Sequence, residues 1–209
     1  MTESNTNTIK KASFILDDVL EKKEFLEYQS YLQNVALYQV VEADGNKKFY
    51  ITNVPDGLEE KITTYLEKTW NAKVKVVLSG IRKATQYLDT NWAIHSDLSV
   101  GSEEIPEYGA VFYISQNESE LNGTALWRHK EMGYRMPRNL SKDEVMRLSD
   151  RDYNDIDKWE LSSVIGGIEN RLVSYPAEYF HSKFPSKAWG VTQKDCRIVF
   201  VLFYSVALD

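Results

Sequence analysis

The chain holds three histidines, His95, His129 and His181, and one of them stands two residues from a carboxylate in His95-Ser96-Asp97. On a β-strand, residues two apart point to the same face. The imidazole of His95 and the carboxylate of Asp97 can therefore occupy neighbouring positions around one metal ion. A second histidine from a distant strand completes a two-histidine, one-carboxylate triad, whose open coordination positions suit iron(II) that activates dioxygen. His181 is the better third ligand, because it follows a strand-like segment, Arg171 to Tyr175. A His-x-Asp pattern is common by composition alone, and His95 by itself fits equally a hydrogen-bonded core histidine.

Arg197 adds a second kind of chemistry. It opens the run Arg197-Ile198-Val199-Phe200-Val201-Leu202-Phe203, whose Arg197 face also carries Val199, Val201 and Phe203. A charge at the head of an apolar face calls for an anion, because an unpaired buried charge is costly. A guanidinium fits a carboxylate in a two-pronged fork. An exposed strand start would leave Arg197 in solvent instead.

These residues need strands to hold them, and the sequence supplies strands mainly in its second half. Two helices come first, Asp17 to Asn34 and Leu58 to Trp70, the latter after the turn Pro55-Asp56-Gly57. Candidate strands follow around Val74–Leu78 and at Trp92–Leu98, Tyr108–Ser115, Thr124–Arg128, Arg171–Tyr175 and Arg197–Val206. Short strands at close spacing indicate a sandwich or barrel. The expected organisation is a disordered tail over 1–10 and one domain over 11–209. Its helical part spans 11–72, its β core 73–209, and a polar insertion 129–170 reads as a lid. Within the insertion, Ser141-Lys142-Asp143-Glu144 is a capping box that starts a short helix.

With 209 residues the chain needs no second core. The net charge of −6 speaks against a general polyanion binder, so nucleic acid is not a favoured partner. The single cysteine, Cys196, excludes an intrachain disulfide and suits a reducing cytoplasm. The stretch Met1 to Lys11 is polar and lacks a signal peptide's apolar core, and the longest apolar run, Ile198 to Leu208, is too short for a membrane helix. A cytoplasmic location without membrane contact is expected.

The order His-x-Asp, His, then Arg on a late strand resembles the iron(II)- and 2-oxoglutarate-dependent oxygenases, within them the prolyl-4-hydroxylase-like group. Local segments extend the likeness across roughly 74–206. Trp92-Ala93-Ile94-His95-Ser96-Asp97 resembles the segment with an aromatic three residues before the ligand histidine. Ala110-Val111-Phe112-Tyr113-Ile114-Ser115 resembles the strand whose tyrosine helps hold the distal carboxylate of 2-oxoglutarate. Leu121-Asn122-Gly123-Thr124-Ala125-Leu126 resembles the Gly-Gly-x-Thr turn, and Asn170 to Tyr175 followed by His181 resembles the strand before the distal ligand. Trp127-Arg128-His129-Lys130 and the overall outline also resemble a phage and bacterial branch with no assigned substrate. Two departures stand out. His181 and Arg197 are sixteen residues apart, wider than the group's usual spacing, so Lys183 to Lys194 must form an extended loop. The insertion is also longer than usual.

The resemblance implies a mainly β fold with flanking helices, a double-stranded β-helix (jelly roll, cupin-like). It implies iron(II) on His95, Asp97 and His181, with 2-oxoglutarate on Arg197 and Tyr113. Dioxygen is the third reactant, and a C–H bond is hydroxylated with release of succinate and carbon dioxide. Halogenating relatives replace the carboxylate by Gly or Ala; Asp97 keeps it, which favours hydroxylation. Two alternatives remain, a cupin-type metal enzyme that does not use 2-oxoglutarate and a non-catalytic binding module. The substrate stays open among small molecules, peptides and nucleobases. Arg128, His129 and Arg135, in a basic cluster with Lys130 and Arg138, are candidate substrate contacts, although a solvated surface accounts for them as well.

Overall fold

The computed structural model describes residues 13–43, 47–99, 103–115, 121–137, 139–141, 143–144 and 151–207. The expected disordered tail, 1–10, lies outside them, as does Arg138. In chain order the elements are β1 (Phe14–Leu16), α1 (Lys22–Asn34), β2 (Gln39–Ala43), β3 (Lys47–Thr52), α2 (Leu58–Trp70), β4 (Lys73–Ala84), β5 (Tyr108–Tyr113), β6 (Gly123–His129), β7 (Trp159–Gly166), β8 (Leu172–Pro176), β9 (His181–Phe184) and β10 (Arg197–Ala207).

The alternation along β10 decides the architecture. Ile198, Phe200, Leu202 and Tyr204 face one way and pack with Phe25 and Leu32 of α1 and with Leu58, Ile62 and Leu66 of α2. The helical residues recur at intervals of seven and four, so each helix presents one apolar stripe to the sheet. Each such side chain, fully buried, contributes about 1.5–3 kcal/mol. Val199, Val201 and Phe203 face the other way and pack with Val111, Tyr113, Val173 and Tyr175. That second face is the interior of the β-helix.

Two antiparallel sheets enclose this interior. The larger has the order β1-β8-β5-β10-β4-β3-β2, the smaller β7-β6-β9. The segment around His95 joins the smaller sheet through one bridge to His181. From β4 onward the chain alternates between the sheets: β4, the His95 segment, β5, then β6 and β7, β8, β9 and β10. This winding is a double-stranded β-helix, as the sequence led us to expect.

Several boundaries differ from the sequence reading. Asp17–Glu21 is not helical: Asp18 takes a left-handed φ of 51° and the chain before it pairs with β8. The hairpin β2–β3 was not anticipated. Trp92–Leu98 is not a continuous strand, since a 3-10 turn begins at Asp97. The insertion is shorter than 129–170, because Trp159–Gly166 is β7, paired with β6 along its length.

What remains of the insertion does not cover the barrel mouth where it is described. Met132, Met136 and Leu140 pack with Ala125, Trp127, Trp159 and Phe180. Ala125 lies on the opposite face of β6 from the inward Thr124, so these residues cover the smaller sheet's outer face. The capping box forms: the Ser141 N–H and hydroxyl donate to Glu144 Oε2 at 2.8 and 2.7 Å, and the Glu144 N–H donates back to Ser141 Oγ at 3.3 Å. Residues 145–150, where the short helix was expected to continue, lie outside the described residues.

Candidate metal and co-substrate site

His95 and His181 are direct cross-strand partners. The His95 N–H donates to the His181 carbonyl at 3.0 Å and the His181 N–H donates back at 2.9 Å. A pair joined by both hydrogen bonds projects its side chains to the same face, and the two rings stand 4.5 Å apart. Each Nδ1 lies against a backbone carbonyl two residues earlier, at 2.7 Å to Ala93 and 2.9 Å to Tyr179. A carbonyl only accepts, so Nδ1 carries the proton and Nε2 presents its lone pair. Both Nε2 atoms face Asp97 Oδ1, at 3.6 Å from His95 and 3.4 Å from His181.

The His95 segment is braced from behind. The Ile94 N–H donates to the Tyr153 carbonyl at 2.9 Å and the Ala93 N–H to Asn154 Oδ1 at 3.0 Å. Ala93 adopts a left-handed φ of 50°, uncommon for a residue with a Cβ, and in that conformation its carbonyl meets the His95 ring. The insertion thus acts as a buttress for the histidine strand. The Asp97 N–H donates to the Ala177 carbonyl at 2.7 Å, which anchors the third side chain.

The arrangement fits a divalent metal ion. The donor atoms of His95, Asp97 and His181 all lie within 4.8 Å of one another. Ligand bonds of about 2.0–2.2 Å put neighbouring donors on one coordination face roughly 3 Å apart. Asp97 is buried, yet its Oδ2 has no hydrogen-bond partner among the described residues. A lone buried carboxylate oxygen is costly, and a cation removes that cost. Gly109 on β5 makes room for it: a Cβ there would stand 2.3 Å from Asp97 Oδ2. The His95 side chain keeps 27% of its surface exposed, so the site is reachable from solvent.

A cavity of about 100 Å³ extends from these three residues to Arg197. Arg197 is buried, and its Nε has no hydrogen-bond partner among the described residues. Beside it stands Tyr113, whose hydroxyl is 2.5 Å from Thr124 Oγ1. Burial raises the Tyr113 pKa, opposed by the Arg197 charge and by hydrogen bonds to Thr124 and Arg197. Tyr113 therefore stays a neutral hydroxyl at physiological pH. Its ring rests on Gly167, where a Cβ would come within 2.3 Å of it.

The sequence reading missed several cavity residues. Arg82 on β4 and Tyr175 on β8 line it, as do Trp92 and the pair Lys183–Asp89, 2.8 Å apart. Burial lowers the Lys183 pKa, opposed by Asp89. Arg82 sits in Ser79-Gly80-Ile81-Arg82-Lys83-Ala84, where two adjacent cations must point to opposite faces and nothing local says which points inward. Thr124 lay within a segment singled out for its resemblance, but its hydroxyl gave no separate signal.

The three candidate substrate contacts, Arg128, His129 and Arg135, lie outside the cavity lining. Arg128 donates to Glu160 Oε2 at 2.7 Å, and Arg135 donates to the Tyr179 hydroxyl at 2.8 Å and stacks on its ring. Neither lines the cavity. His129 is fully buried, neither a surface group nor a pocket group. Its Nδ1 accepts the N–H groups of Glu131 and Met132 at 3.2 and 3.1 Å, so its Nε2 carries the proton donated to Asp152 Oδ2 at 3.1 Å. Arg151 in turn holds the Asp152 carboxyl below its usual range, helped by His129. His129→Ala should cost about 2–4 kcal/mol through a cavity and a lost buried hydrogen bond. That corresponds to a melting temperature roughly 10 °C lower, read by circular dichroism. Unchanged melting with lost turnover would return His129 to a substrate role.

No protein-family model and no curated protein matches the sequence. Solved structures match in shape. The non-haem alpha-ketoglutarate-dependent carbocyclase SnoK from nogalamycin biosynthesis superimposes with a TM-score of 0.55 at 12% identity, covering 95% of this chain and 81% of its own. HygX from Streptomyces hygroscopicus, solved with nickel, 2-oxoglutarate and hygromycin B bound, gives 0.55 at 13% identity over 93% of this chain and 82% of its own. A prolyl hydroxylase from Trichoplax adhaerens, in complex with a hypoxia inducible factor peptide fragment, gives 0.53 at 12% identity over 93% and 84%. At such identities the likeness establishes the fold, which is that of iron- and 2-oxoglutarate-dependent oxygenases.

Proposed function

We propose that this chain is an iron(II)- and 2-oxoglutarate-dependent oxygenase that hydroxylates a C–H bond of its substrate. The observation that carries the reading is the convergence of two Nε2 lone pairs on a buried carboxylate with an unpartnered oxygen, in a cavity that ends at an arginine. His95, Asp97 and His181 would hold iron(II), and Arg197, Tyr113 and Thr124 would hold the distal carboxylate of 2-oxoglutarate. When bound, the metal supplies oxidative decarboxylation of 2-oxoglutarate to succinate and carbon dioxide, with the second oxygen atom of dioxygen entering the substrate. The protein's own work is positional. Ala93 and Tyr179 fix the imidazole tautomers, and Gly109 leaves room for the carboxylate. Arg197 offers a charged fork, Tyr113 a neutral hydroxyl, and the apolar wall of Val111, Val201 and Phe203 limits water.

The presence of Asp97 favours hydroxylation over halogenation. A cupin-type enzyme without 2-oxoglutarate would leave the Arg197 guanidinium with no anion. Among the described residues no helix is long and apolar enough to cross a membrane. The test is turnover of labelled 2-oxoglutarate. Succinate should form only with iron(II) and dioxygen present, including slow formation without substrate, and Asp97→Ala should abolish it. Failure of the intact protein to bind both iron(II) and 2-oxoglutarate would refute the proposal.

A further inference from the structure

Arg82 projects from β4 into the same cavity, opposite Val199 of β10. Its guanidinium carbon lies 4.8 Å from the centre of the Phe49 ring and 5.9 Å from that of Phe203. Two rings beside a planar guanidinium hold its plane and leave its N–H edge free to donate. Among the described residues Arg82 has no hydrogen-bond or ion-pair partner. Burial disfavours its charge, and Asp97 is the largest influence that opposes this. Arg197 sits elsewhere in the cavity, beside Tyr113, so the two arginines serve separate places.

Charge matching shows what Arg82 lacks. With iron(II) and 2-oxoglutarate in place, Asp97 and one carboxylate of the co-substrate match the metal's two charges. The other carboxylate matches Arg197, and Asp89 matches Lys183. Among the cavity's cations Arg82 is left without a counter-charge in a partly enclosed, partly apolar space, where an unmatched ion is costly. Phe49, half-buried on the β2–β3 hairpin, places this cation on the side where the cavity is walled by an edge hairpin rather than by the sheet core.

We propose that Arg82 is a substrate-specificity residue, and that the substrate is an acid whose carboxylate or phosphate group docks on the Arg82 fork between Phe49 and Phe203. The inference rests on the oxygenase reading for its charge matching. Phe49 and Phe203 then flank the carbon skeleton next to the acid group, and the C–H bond attacked lies within a short reach of it. A peptide or nucleobase without an acid group near the reacting carbon does not complete the site.

The test uses the full chain labelled with ¹⁵N-arginine and loaded with zinc(II), a diamagnetic stand-in for iron(II), and 2-oxoglutarate. Acetate and inorganic phosphate are titrated separately at low salt, and the Arg82 Nε–H signal, identified by its loss in Arg82→Lys, is followed. A saturable shift is expected with at least one anion, and which one distinguishes a carboxylic from a phosphoric acid substrate. Calorimetry should show anion affinity reduced about tenfold or more in Arg82→Gln, with 2-oxoglutarate affinity nearly unchanged. Arg82→Lys keeps the charge without the fork and should bind with intermediate affinity. Equal anion affinity in wild type and Arg82→Gln would overturn the proposal. So would a tenfold loss of 2-oxoglutarate binding in Arg82→Gln, which would make Arg82 part of the co-substrate site. If the protein takes up neither metal nor 2-oxoglutarate, the oxygenase reading fails by itself. The same titration of the unloaded protein then decides on Arg82: a saturable shift supports the acid site, and none overturns it.

Discussion

Asp97→Ala and His181→Ala should each weaken iron(II) binding by more than about a hundredfold and abolish succinate formation, because two protein side chains rarely hold a divalent ion in an open site. The expectation rests on how narrowly the structure fixes each donor. His181 and His95 are locked as mutual backbone partners and by their Nδ1 contacts, so neither ring can swing to replace a missing ligand. Asp97 is the sole carboxylate of the cluster. Gly109→Ala should produce the same loss while removing no donor atom, since the added methyl group would occupy the space of Asp97 Oδ2. Titration with manganese(II), which binds such donors without consuming co-substrate, reads the affinity, and far-ultraviolet circular dichroism checks that each variant folds. Full iron occupancy in His181→Ala would sink the assignment. His129 could not rescue it, because both its ring nitrogens are engaged in the core behind the smaller sheet.

The meeting of His95, Asp97 and His181 was legible in the sequence because its two parts are local signals. Spacing of two in His95-Ser96-Asp97 places both groups together, and a late histidine after a strand supplies the third. The three side chains do come together, although not on the expected strand, since Asp97 begins a 3-10 turn and reaches the cluster through its anchor to Ala177. Arg197 was legible because it heads an apolar face, and the alternation of β10 carries that face into the interior. Arg82 was not, because a cation in mid-strand reads the same whether it faces solvent or a cavity. The insertion misled for a related reason. Its polar composition suggested a mobile cover, yet Met132, Met136 and Leu140 at spacing of four anchor it to the back of the smaller sheet. β7 was hidden in it because Glu160-Leu161-Ser162-Ser163 is largely exposed and offers little apolar alternation. His129 shows the limit most clearly: burial of a histidine depends on tertiary neighbours such as Asp152 and Trp159, from more than twenty residues away.

Arg197→Ala should weaken 2-oxoglutarate binding about ten- to a hundredfold, because a charge-assisted hydrogen bond contributes roughly 1.5–3 kcal/mol and each 1.36 kcal/mol is about a factor of ten. The structure supports the larger end. Arg197 is buried, so its interaction with a carboxylate is little screened by solvent. Its Nε lacks any partner among the described residues, so that donor is available to the co-substrate without breaking a bond. Tyr113→Phe should have a smaller effect, since it removes one neutral donor that is shared with Thr124. Gly167→Ala should resemble Tyr113→Phe or exceed it, because its methyl group would push the Tyr113 ring out of place. Calorimetric titration of the manganese(II)-loaded variants with 2-oxoglutarate ranks the three. The same titration of Arg82→Gln separates the two arginines. Arg197 should carry the 2-oxoglutarate affinity and Arg82 should not. Unchanged affinity in Arg197→Ala, with the metal site intact, would move the co-substrate's distal carboxylate away from the head of β10 and leave Arg82 as the next cation able to receive it.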